Sequence, residues 1–316
     1  MVSIKKKKIS GKEYYYLSKS IRLPNGKVDT IEKKVKDQNV SASKYTNWFD
    51  EEEKKLFGSW AIKHYAGNSI FTKEQMQKIE AIRVDYKKIL RKLSKAQKKD
   101  LFDRFTVNFT YESNALEGNS LTLKDVAIVL FEKMFIKGKE LREIYETRNS
   151  REVVDLIIKK KFKITEKDII KIHKVLIKDM EITKGYKQIP NFILDRNVKT
   201  SLPEKVPEEM QKLIEYYEKN KSTMHPLQLA ANLHGMFEKI HPFDDGNGRV
   251  GRFLINIILT SNKYPPLIIR KTQRQAYFKC LQDFDNGYTT NLERFLLEKY
   301  KDTYKKFFEI YVKYLK

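Results

Sequence analysis

A twelve-residue segment in the C-terminal half of the chain combines the side chains of a phosphate-transfer site. It reads His241-Pro-Phe-Asp-Asp-Gly-Asn-Gly-Arg-Val-Gly-Arg252. A histidine can take a proton from a hydroxyl group near neutral pH, because its ordinary pKa is about 6.5. Arginines bind phosphate groups through paired N–H donors, and an aspartate is a hard oxygen ligand that suits Mg²⁺. These residue types in this order indicate a site that binds a nucleotide phosphate chain and passes part of it to another molecule.

Apolar residues at helical spacing flank this segment on both sides. They predict helices over 226–240 and 249–262, with the segment as the loop between them. The first turn of a helix has unpaired N–H groups and a partial positive charge, so it attracts phosphate. Gly246 and Gly248 carry no Cβ and therefore let the backbone approach an anion closely.

The remaining side chains of the loop also fit a phosphate site. Arg249 and Arg252 are three residues apart, share one helical face and can bind two phosphates. Asn247 can donate its side-chain amide to a phosphoryl oxygen, Asp245 can bind Mg²⁺, and Phe243 is expected to point inward and anchor the loop. Each residue alone is also typical of an ordinary turn or a solvated helix face. Their occurrence together, each with a chemical role, favours the phosphate site.

The segment resembles the signature of the Fic-domain family, His-Pro-Phe-x-(Asp/Glu)-Gly-Asn-Gly-Arg-x-x-Arg, and matches it at every fixed position. The resemblance implies a helical core that transfers AMP from ATP, with Mg²⁺ as cofactor, to a Ser, Thr or Tyr hydroxyl of a target protein. It implies that His241 deprotonates the hydroxyl and that Asp245 holds Mg²⁺. It implies that the other residues bind ATP. The anion hole would be formed by Gly246, Asn247 and Gly248, and the β- and γ-phosphates would be held by Arg249 and Arg252. Relatives that transfer phosphate or phosphocholine resemble variants with Ala and often Lys in this loop, so Gly-Asn-Gly-Arg favours nucleotidyl transfer.

A second motif lies upstream, where a predicted helix ends. It resembles the inhibitory motif (Ser/Thr)-x-x-x-Glu-(Gly/Asn) of Fic proteins, with Ser113, Glu117 and Gly118 at its fixed positions. Ser113 and Glu117 are four residues apart and therefore share one helical face. The resemblance places Glu117 against Arg252, in the space that the γ-phosphate of ATP needs, and implies low basal activity. In some relatives this glutamate positions a water that removes AMP, so an enzyme that reverses the modification stays open.

Residues 185–194 resemble the β-hairpin flap of Fic proteins, which pairs with the target segment by main-chain hydrogen bonds. The candidate docking residues in it are Ile189, Asn191, Phe192 and Ile193. The family often has arginine where Lys187 stands. An ordinary surface hairpin explains the segment equally well.

The expected fold class is mainly α, with a Fic-type helical core, a small β-hairpin flap and an N-terminal three-stranded β-meander. The strands are expected within residues 3–35, because turn sequences at 10–11 and 24–26 separate them. The expected domains are the meander at 1–45, a helical extension at 46–94, and the Fic core at 95–316 with the inhibitory helix at about 100–120. Periodicity predicts further helices over 73–93, 95–112, 123–135, 139–159, 166–178, 206–219, 272–284 and 290–315.

Composition restricts the class of protein. Hydrophobic residues make up 41% of the 316 positions, which suffices for a core. No apolar run reaches the ~18 residues of a transmembrane helix, and the N-terminus lacks the apolar stretch of a secretory signal. Cys280 is the only cysteine, which excludes intramolecular disulfides and cysteine metal sites. A cytoplasmic location is therefore expected.

The formal net charge of +23 has two interpretations. Lys5–Lys8, Lys12, Arg22 and Lys27 with the neighbouring tyrosines would make a basic sheet that binds nucleic acid. Lysines also occur along the whole chain, which is typical of solvated helix faces. We favour the second interpretation.

The sequence thus favours a protein adenylyltransferase that uses ATP and Mg²⁺ and is autoinhibited by Glu117. Its partner would be a protein with an accessible hydroxyl, including the chain itself, which has 18 tyrosines, and a homodimer is compatible with it. An enzyme that removes AMP, or a transferase for another nucleotide, shares the same loop and remains an alternative. A nucleic-acid-binding regulator with a nucleotide-sensing core is the alternative from another class. The intact His241 argues against that regulator, because a sensor needs no base.

Overall fold

The N-terminal part of the chain is a three-stranded antiparallel sheet packed on helices. The structure is a computed structural model that describes residues 2–193 and 199–314. Strands β1 (Val2–Ile9), β2 (Lys12–Arg22) and β3 (Val28–Val35) pair in the order β1-β2-β3. The turn between β1 and β2 contains Ser10 and Gly11, both at positive φ. The predicted β-meander is therefore confirmed.

One face of the sheet forms a core with the following helices. Helix α1 spans Thr46–His64 and α2 spans Lys73–Lys92. Leu17 of β2 clusters with Val35 and Phe49, and Ile21 clusters with Phe57 of α1 and Val84 of α2. Successive side chains of a strand point to opposite faces, so the residues between these core residues lie on the other face of the sheet.

The chain divides into two compact units, Met1–Lys88 and Ile89–Lys316, with the boundary inside α2. The second unit is helical throughout its regular structure, apart from one isolated β-bridge in its described residues. Its helices are α3 (Lys95–Leu116), α4 (Leu123–Ala127), α5 (Leu141–Ile158), α6 (Glu166–Leu176), α7 (Val206–Asn220), α8 (Pro226–Ile240), α9 (Asn247–Ser261), α10 (Arg274–Asp285), α11 (Thr289–Thr303) and α12 (Glu309–Tyr314). No helix in the described part of the chain has both the length and the apolar character needed to cross a bilayer.

Helices α8 and α9 form the centre of the second unit. All residues of α8 except Met236 and Lys239 are buried, as are most residues of α9. Glycines permit the close packing here, because a Cβ on Gly251 would lie 2.7 Å from Nδ1 of His234. A Cβ on Gly235 would lie 2.6 Å from the ring of Phe284. The loop between the two helices is therefore held by a closely packed scaffold.

Two predicted helices are interrupted in the structure. In the helix expected at 123–135, regular α geometry ends at Ala127 and a π-helical turn follows over Ile128–Glu132. The helix stops at Lys133, which has a left-handed conformation. The apolar run misled the prediction, because Phe131, Met134 and Phe135 are about half exposed rather than packed. The helix expected at 290–315 contains a π-helical turn over Tyr304–Phe308, in which Phe308 remains fully buried.

Candidate active site

The signature segment forms the loop between α8 and α9. Helix α8 ends because His241 adopts a left-handed backbone conformation, with φ of 51°. Gly246 precedes α9 with φ of 84°, a conformation that favours glycine. Phe243 is fully buried between them and stacks on His173 of α6, with ring centroids 3.8 Å apart. The expected inward position of Phe243 agrees with this geometry.

The side chain of Asn247 holds the loop closed. Its Nδ2 donates to the carbonyl oxygen of Phe243 at 2.7 Å, and its Oδ1 accepts from the N–H of Phe243 at 2.9 Å. In the described state both polar atoms of this amide bond the loop backbone, and donation of its second Nδ2–H to a phosphoryl oxygen stays a prediction. What the loop can offer an anion is the backbone N–H groups of the first turn of α9.

His241 is oriented by the last turn of α8. Its Nδ1 lies 3.3 Å from the carbonyl oxygen of Glu238 and 3.9 Å from the carboxylate of the same residue. A carbonyl oxygen only accepts, so this contact places the proton on Nδ1 and makes Nε2 the basic nitrogen. His241 can therefore accept a proton at Nε2.

Arg252 is buried and bonded to the upstream motif. Its Nε donates to Oγ of Ser113 at 2.9 Å, and its Nη2 donates to the carbonyl oxygen of Ser113 at 2.9 Å and to Oε1 of Glu117 at 2.7 Å. Burial alone would lower the pKa of Arg252, but the charge and hydrogen bond of Glu117, together with Tyr277 and Glu238, outweigh it and the pKa is raised. Glu117 caps the C-terminus of α3, and Gly118 follows with φ of 98°. The structure thus brings the two predicted motifs into direct contact.

The carboxylate of Glu117 also lies against the first turn of α9. A Cβ built on Gly248 would be 2.1 Å from Oε1 of Glu117 and 3.0 Å from Nη1 of Arg252. The N-terminus of a helix and a buried guanidinium together form an anion site. In the described state, a side-chain carboxylate occupies that site.

A second ion-pair network surrounds Asp245. Its Oδ2 accepts from Nη2 of Arg142 at 2.6 Å and from Nη2 of Arg249 at 3.1 Å. Burial alone would raise the pKa of Asp245, but the two arginines outweigh it, so the pKa is lowered and the carboxylate is ionised. Arg249 is 1% exposed, and its Nη1 lies 3.2 Å from Glu146 of α5. Asp245 and Glu146 together neutralise this buried cation.

Three residues of this site were not predicted from the sequence: Arg142 and Glu146 on α5, and His173 on α6. His173 is fully buried and its Nε2 lies 3.1 Å from the carbonyl oxygen of Asp245. Burial lowers its pKa to about 4, so it is neutral and donates this bond from Nε2–H. Their sequence signal is a set of polar residues on otherwise buried helix faces, since α5 buries Glu146, Thr147, Asn149 and Ser150.

The flap is tied to the loop at its base. Nζ of Lys187 donates to Oδ1 of Asn191 at 2.7 Å and to Oγ1 of Thr200 at 3.1 Å. The N–H of Lys187 bonds the carbonyl oxygen of Pro242, and Nδ2 of Asn191 bonds the carbonyl oxygen of Phe243. The flap and the loop between α8 and α9 are thereby connected by two hydrogen bonds, one from the backbone of Lys187 and one from the side chain of Asn191.

The described part of the flap contains exposed apolar side chains. Among the described residues, one antiparallel bridge joins Phe192 to Lys199, and Leu194 lies outside them. Ile189 is 69% exposed and Phe192 is 83% exposed, whereas Asn191 and Ile193 are partly buried. Among the described flap residues, Ile189 and Phe192 present exposed large apolar side chains that another chain could contact.

Asp245 offers one ionised, partly exposed carboxylate to a divalent cation. No group of three or more His, Cys, Asp or Glu residues in the described ranges 2–193 and 199–314 forms a complete metal site. Mg²⁺ is commonly bound by one or two carboxylates together with substrate phosphates and waters, so a single Asp245 fits this ion. A cavity of about 530 Å³ beside Glu117 is lined by four glutamates and Arg142. A triphosphate beside these carboxylates would need a cation to offset the repulsion.

Two buried helices are joined by a loop that has a histidine at one end. At its other end stands a helix N-terminus with glycines and buried arginines, an arrangement that suits the binding of phosphate groups. Residues 163–259 match the profile of the Fic/DOC family. These residues include α6, the flap, the loop and most of α9. The chain therefore contains a Fic domain, as the signature predicts.

Similar proteins agree with this identification. Over 188 residues the chain is 34% identical to the protein adenylyltransferase Fic of Nematostella vectensis, which covers 56% of this chain and 43% of that protein. The chain thus spans less than half the length of this curated relative. A Fic domain-containing signaling protein of Bacteroides thetaiotaomicron is 26% identical, with a TM-score of 0.60 over 71% of this chain and 97% of that one. Fic-1 of C. elegans is 19% identical, with a TM-score of 0.64 over 85% of this chain and 77% of that one, and this similarity supports the fold. The predicted mainly α, Fic-type fold is confirmed.

Proposed function

We propose that this protein transfers AMP from ATP to hydroxyl side chains of proteins, including its own, and that Glu117 restrains the transfer. The observation that carries the proposal is the anion site of the loop. A base, His241, stands at one end of the loop, and the carboxylate of Glu117 occupies the position between Gly248 and Arg252 where a phosphate would bind. The similarity to a relative named protein adenylyltransferase Fic supports AMP as the transferred group.

The reaction follows from the positions of the loop residues. Nε2 of His241 takes the proton of a Ser, Thr or Tyr hydroxyl, and the hydroxyl oxygen attacks the α-phosphorus of ATP. The bond from that phosphorus to the bridging oxygen breaks, so pyrophosphate leaves and an AMP ester forms on the side chain. N–H groups of the first turn of α9, near Gly248, stabilise the charge that develops on the phosphoryl oxygens. Glu238 stabilises the imidazolium that His241 becomes.

Asp245 would hold Mg²⁺, which neutralises part of the triphosphate charge when it is bound. Its Oδ2 is bonded to Arg142 in the described state, so binding a cation requires that Arg142 move away. Arg142 is more than half exposed and has room to do so. Arg249 stays in place because it is buried and also paired with Glu146.

Restraint by Glu117 is a competition between two anions. The γ-phosphate of ATP and the carboxylate of Glu117 both suit the guanidinium of Arg252. Displacing Glu117 separates an ion pair whose arginine is buried, which costs free energy because the charge loses its partner. Low basal activity is therefore expected, with release when the end of α3 moves.

The test compares four proteins incubated with ATP and Mg²⁺ and measured by intact-protein mass spectrometry. We expect Glu117→Gly to gain the mass of AMP at least about tenfold faster than wild type, and Glu117→Gly with His241→Ala to gain none. Glu140→Gly is the matched control, since Glu140 lines the same cavity but stands at the N-cap of α5, where glycine is tolerated. It should behave like wild type.

Each contrary outcome has a distinct meaning. Equal rates in Glu117→Gly and wild type would reject the restraint and leave the transfer intact. An adduct that persists after His241→Ala would reject the assigned base. If no variant forms an adduct, while wild type removes AMP from a protein modified beforehand, the chemistry runs in the opposite direction.

A further inference from the structure

The sheet has a second face that carries no hydrophobic cluster. We call this the outer face, meaning the residues of β1–β3 that alternate with Leu17, Ile21 and Val35. Register places Lys5 beside Tyr16 and Lys7 beside Tyr14 on β1 and β2, and Lys34 beside Tyr16 on β2 and β3. Its charged and aromatic members are Lys5, Lys7, Lys12, Tyr14, Tyr16, Arg22, Glu32 and Lys34.

Positive charge is concentrated in this part of the chain. Residues 1–36 contain eleven lysines and arginines and three acidic residues. Nearly a third of these positions are cationic, against about a fifth of the whole chain, where 64 of 316 are. The concentration exceeds what a uniformly lysine-rich surface would give.

The pairing of charges differs between the two faces. On the face that packs on α1, Lys19 forms ion pairs with Asp50 and Glu53, and Lys6 pairs with Glu13. On the outer face, one carboxylate, Glu32, stands against five cations and is paired with Lys7. The packed face has four strand cations, Lys6, Lys8, Lys19 and Lys33, against two strand carboxylates, Glu13 and Asp29. The larger part of the excess positive charge of the sheet therefore lies on its outer face.

The two outer tyrosines hold lysines rather than presenting bare rings. Nζ of Lys34 lies 3.8 Å from the ring centroid of Tyr14, and Nζ of Lys7 lies 5.0 Å from that of Tyr16. Such cation–π contacts fix the ammonium groups above the sheet. Because lysines cover these ring faces, the rings do not form the stacking platform that single-stranded nucleic acids require.

We propose that the outer face of the sheet binds the phosphate backbone of duplex DNA without sequence preference. A duplex offers one negative charge per ~1.7 Å of its axis, a higher density than acidic protein surfaces provide, and backbone contacts from lysines need no base recognition. The five cations on three adjacent strands complement such a rod of charge. This property is separate from nucleotide transfer by the loop, since all of its residues lie within Met1–Lys88.

The test measures fluorescence anisotropy of a labelled duplex of about 20 base pairs with the full-length protein, over about 50 to 300 mM salt. The variant Lys5→Ala/Lys12→Ala/Lys34→Ala removes three outer-face cations. The matched control, Lys63→Ala/Lys124→Ala/Lys159→Ala, removes three exposed lysines elsewhere. We expect the outer-face variant to bind at least about tenfold more weakly at low salt, and its slope of log affinity against log salt to fall by about 2.7. The control should retain the wild-type affinity and slope.

Three results would overturn the proposal. Equal losses in both triple variants would show diffuse attraction by the whole chain. Tighter binding of the single strand than of the duplex, abolished by Tyr14→Leu, would assign base stacking. Binding to vesicles with anionic lipid, without binding to the duplex, would assign a membrane surface. Circular dichroism of each variant checks that the sheet remains folded, so that a loss of affinity is read as a loss of contact.

Discussion

Glu117, Gly248 and Arg252 restrict one another at the centre of the site. The absence of a Cβ at Gly248 leaves the space in which Glu117 meets the guanidinium. The same absence opens the first turn of α9 to a phosphate once Glu117 has moved. One glycine therefore serves both the restrained state and the proposed nucleotide-bound state.

A double-mutant cycle tests this coupling at Gly248. In wild type, Gly248→Ala pushes Glu117 away and leaves Arg252 without its carboxylate, so we expect the free energy of unfolding to fall by about 1–3 kcal/mol. In the Glu117→Gly background the clash is gone, and the same substitution should cost less than about 0.5 kcal/mol. Denaturant unfolding of the four proteins gives the coupling.

Gly246→Ala is the control for that cycle. Its cost comes from a positive φ and not from Glu117, so it should be equal in the two backgrounds. Equal costs for Gly248→Ala in both backgrounds would contradict the packing of Glu117 against α9.

The sequence predicts the residue types of the site better than their contacts. The structure pairs Glu117 with Arg252, as the resemblance implies, and the roles assigned to the two motifs remain predictions. The use of the Asn247 amide was not predicted, because a signature names a residue and not the direction of its side chain. Arg142 and Glu146 belong to no motif, since tertiary packing alone brings α5 beside the loop.

Among the elements, the flap depends on an unusual lysine. Lys187 is 1% exposed, and burial lowers its pKa to about 8, although Asp244 and Glu209 oppose the shift. An ammonium group buried at the base of the flap loses hydration that its two hydrogen bonds only partly replace. The folded protein therefore favours the neutral amine of Lys187 over its ammonium form.

Stability should accordingly rise with pH through Lys187. Between about 8 and the ordinary 10.5, the unfolded chain keeps a proton that the folded protein has released, so the free energy of unfolding increases across this window. From pH ~7.5 to ~9.5, we expect this contribution to reach roughly 2 kcal/mol in wild type and to vanish in Lys187→Met. Urea unfolding at both pH values measures it, with the exposed Lys124→Met as control. A wild-type pH dependence that survives in Lys187→Met would assign the effect to other groups.

Helix bounds follow from the sequence where caps and periodicity agree. A capping box of Ser94 and Gln97 starts α3, and Thr165 caps α6, both at helix starts that periodicity predicts. The predicted helix over 123–135 rested on periodicity alone, and its second half was wrong. An apolar run does not show whether another element of the fold will pack against it. The bridge between Phe192 and Lys199 was not predictable from the sequence, because an isolated pair leaves no alternating pattern.

At the scale of the whole molecule, the two units divide the proposed tasks. Every loop and motif residue of the nucleotide site lies in Ile89–Lys316, whereas the basic sheet lies in Met1–Lys88. Each unit also has its own core: Leu17 is fully buried in the first and Leu254 in the second. The domain boundaries predicted at 45 and 94 remain a prediction. Because each unit has its own core, we expect each unit to unfold locally without the other.

Substitutions in the two cores should therefore act locally. Leu17→Ala removes a fully buried side chain between the sheet and α1, which typically costs about 2–5 kcal/mol. Hydrogen–deuterium exchange by mass spectrometry should then show faster exchange in β1–β3 and α1, and unchanged protection of α8 and α9. Leu254→Ala, a change of the same size in α9, should give the reverse pattern. If Leu17→Ala lowers the protection of α8 and α9 as much as that of the sheet, the chain unfolds as one cooperative body and the tasks are not energetically separate.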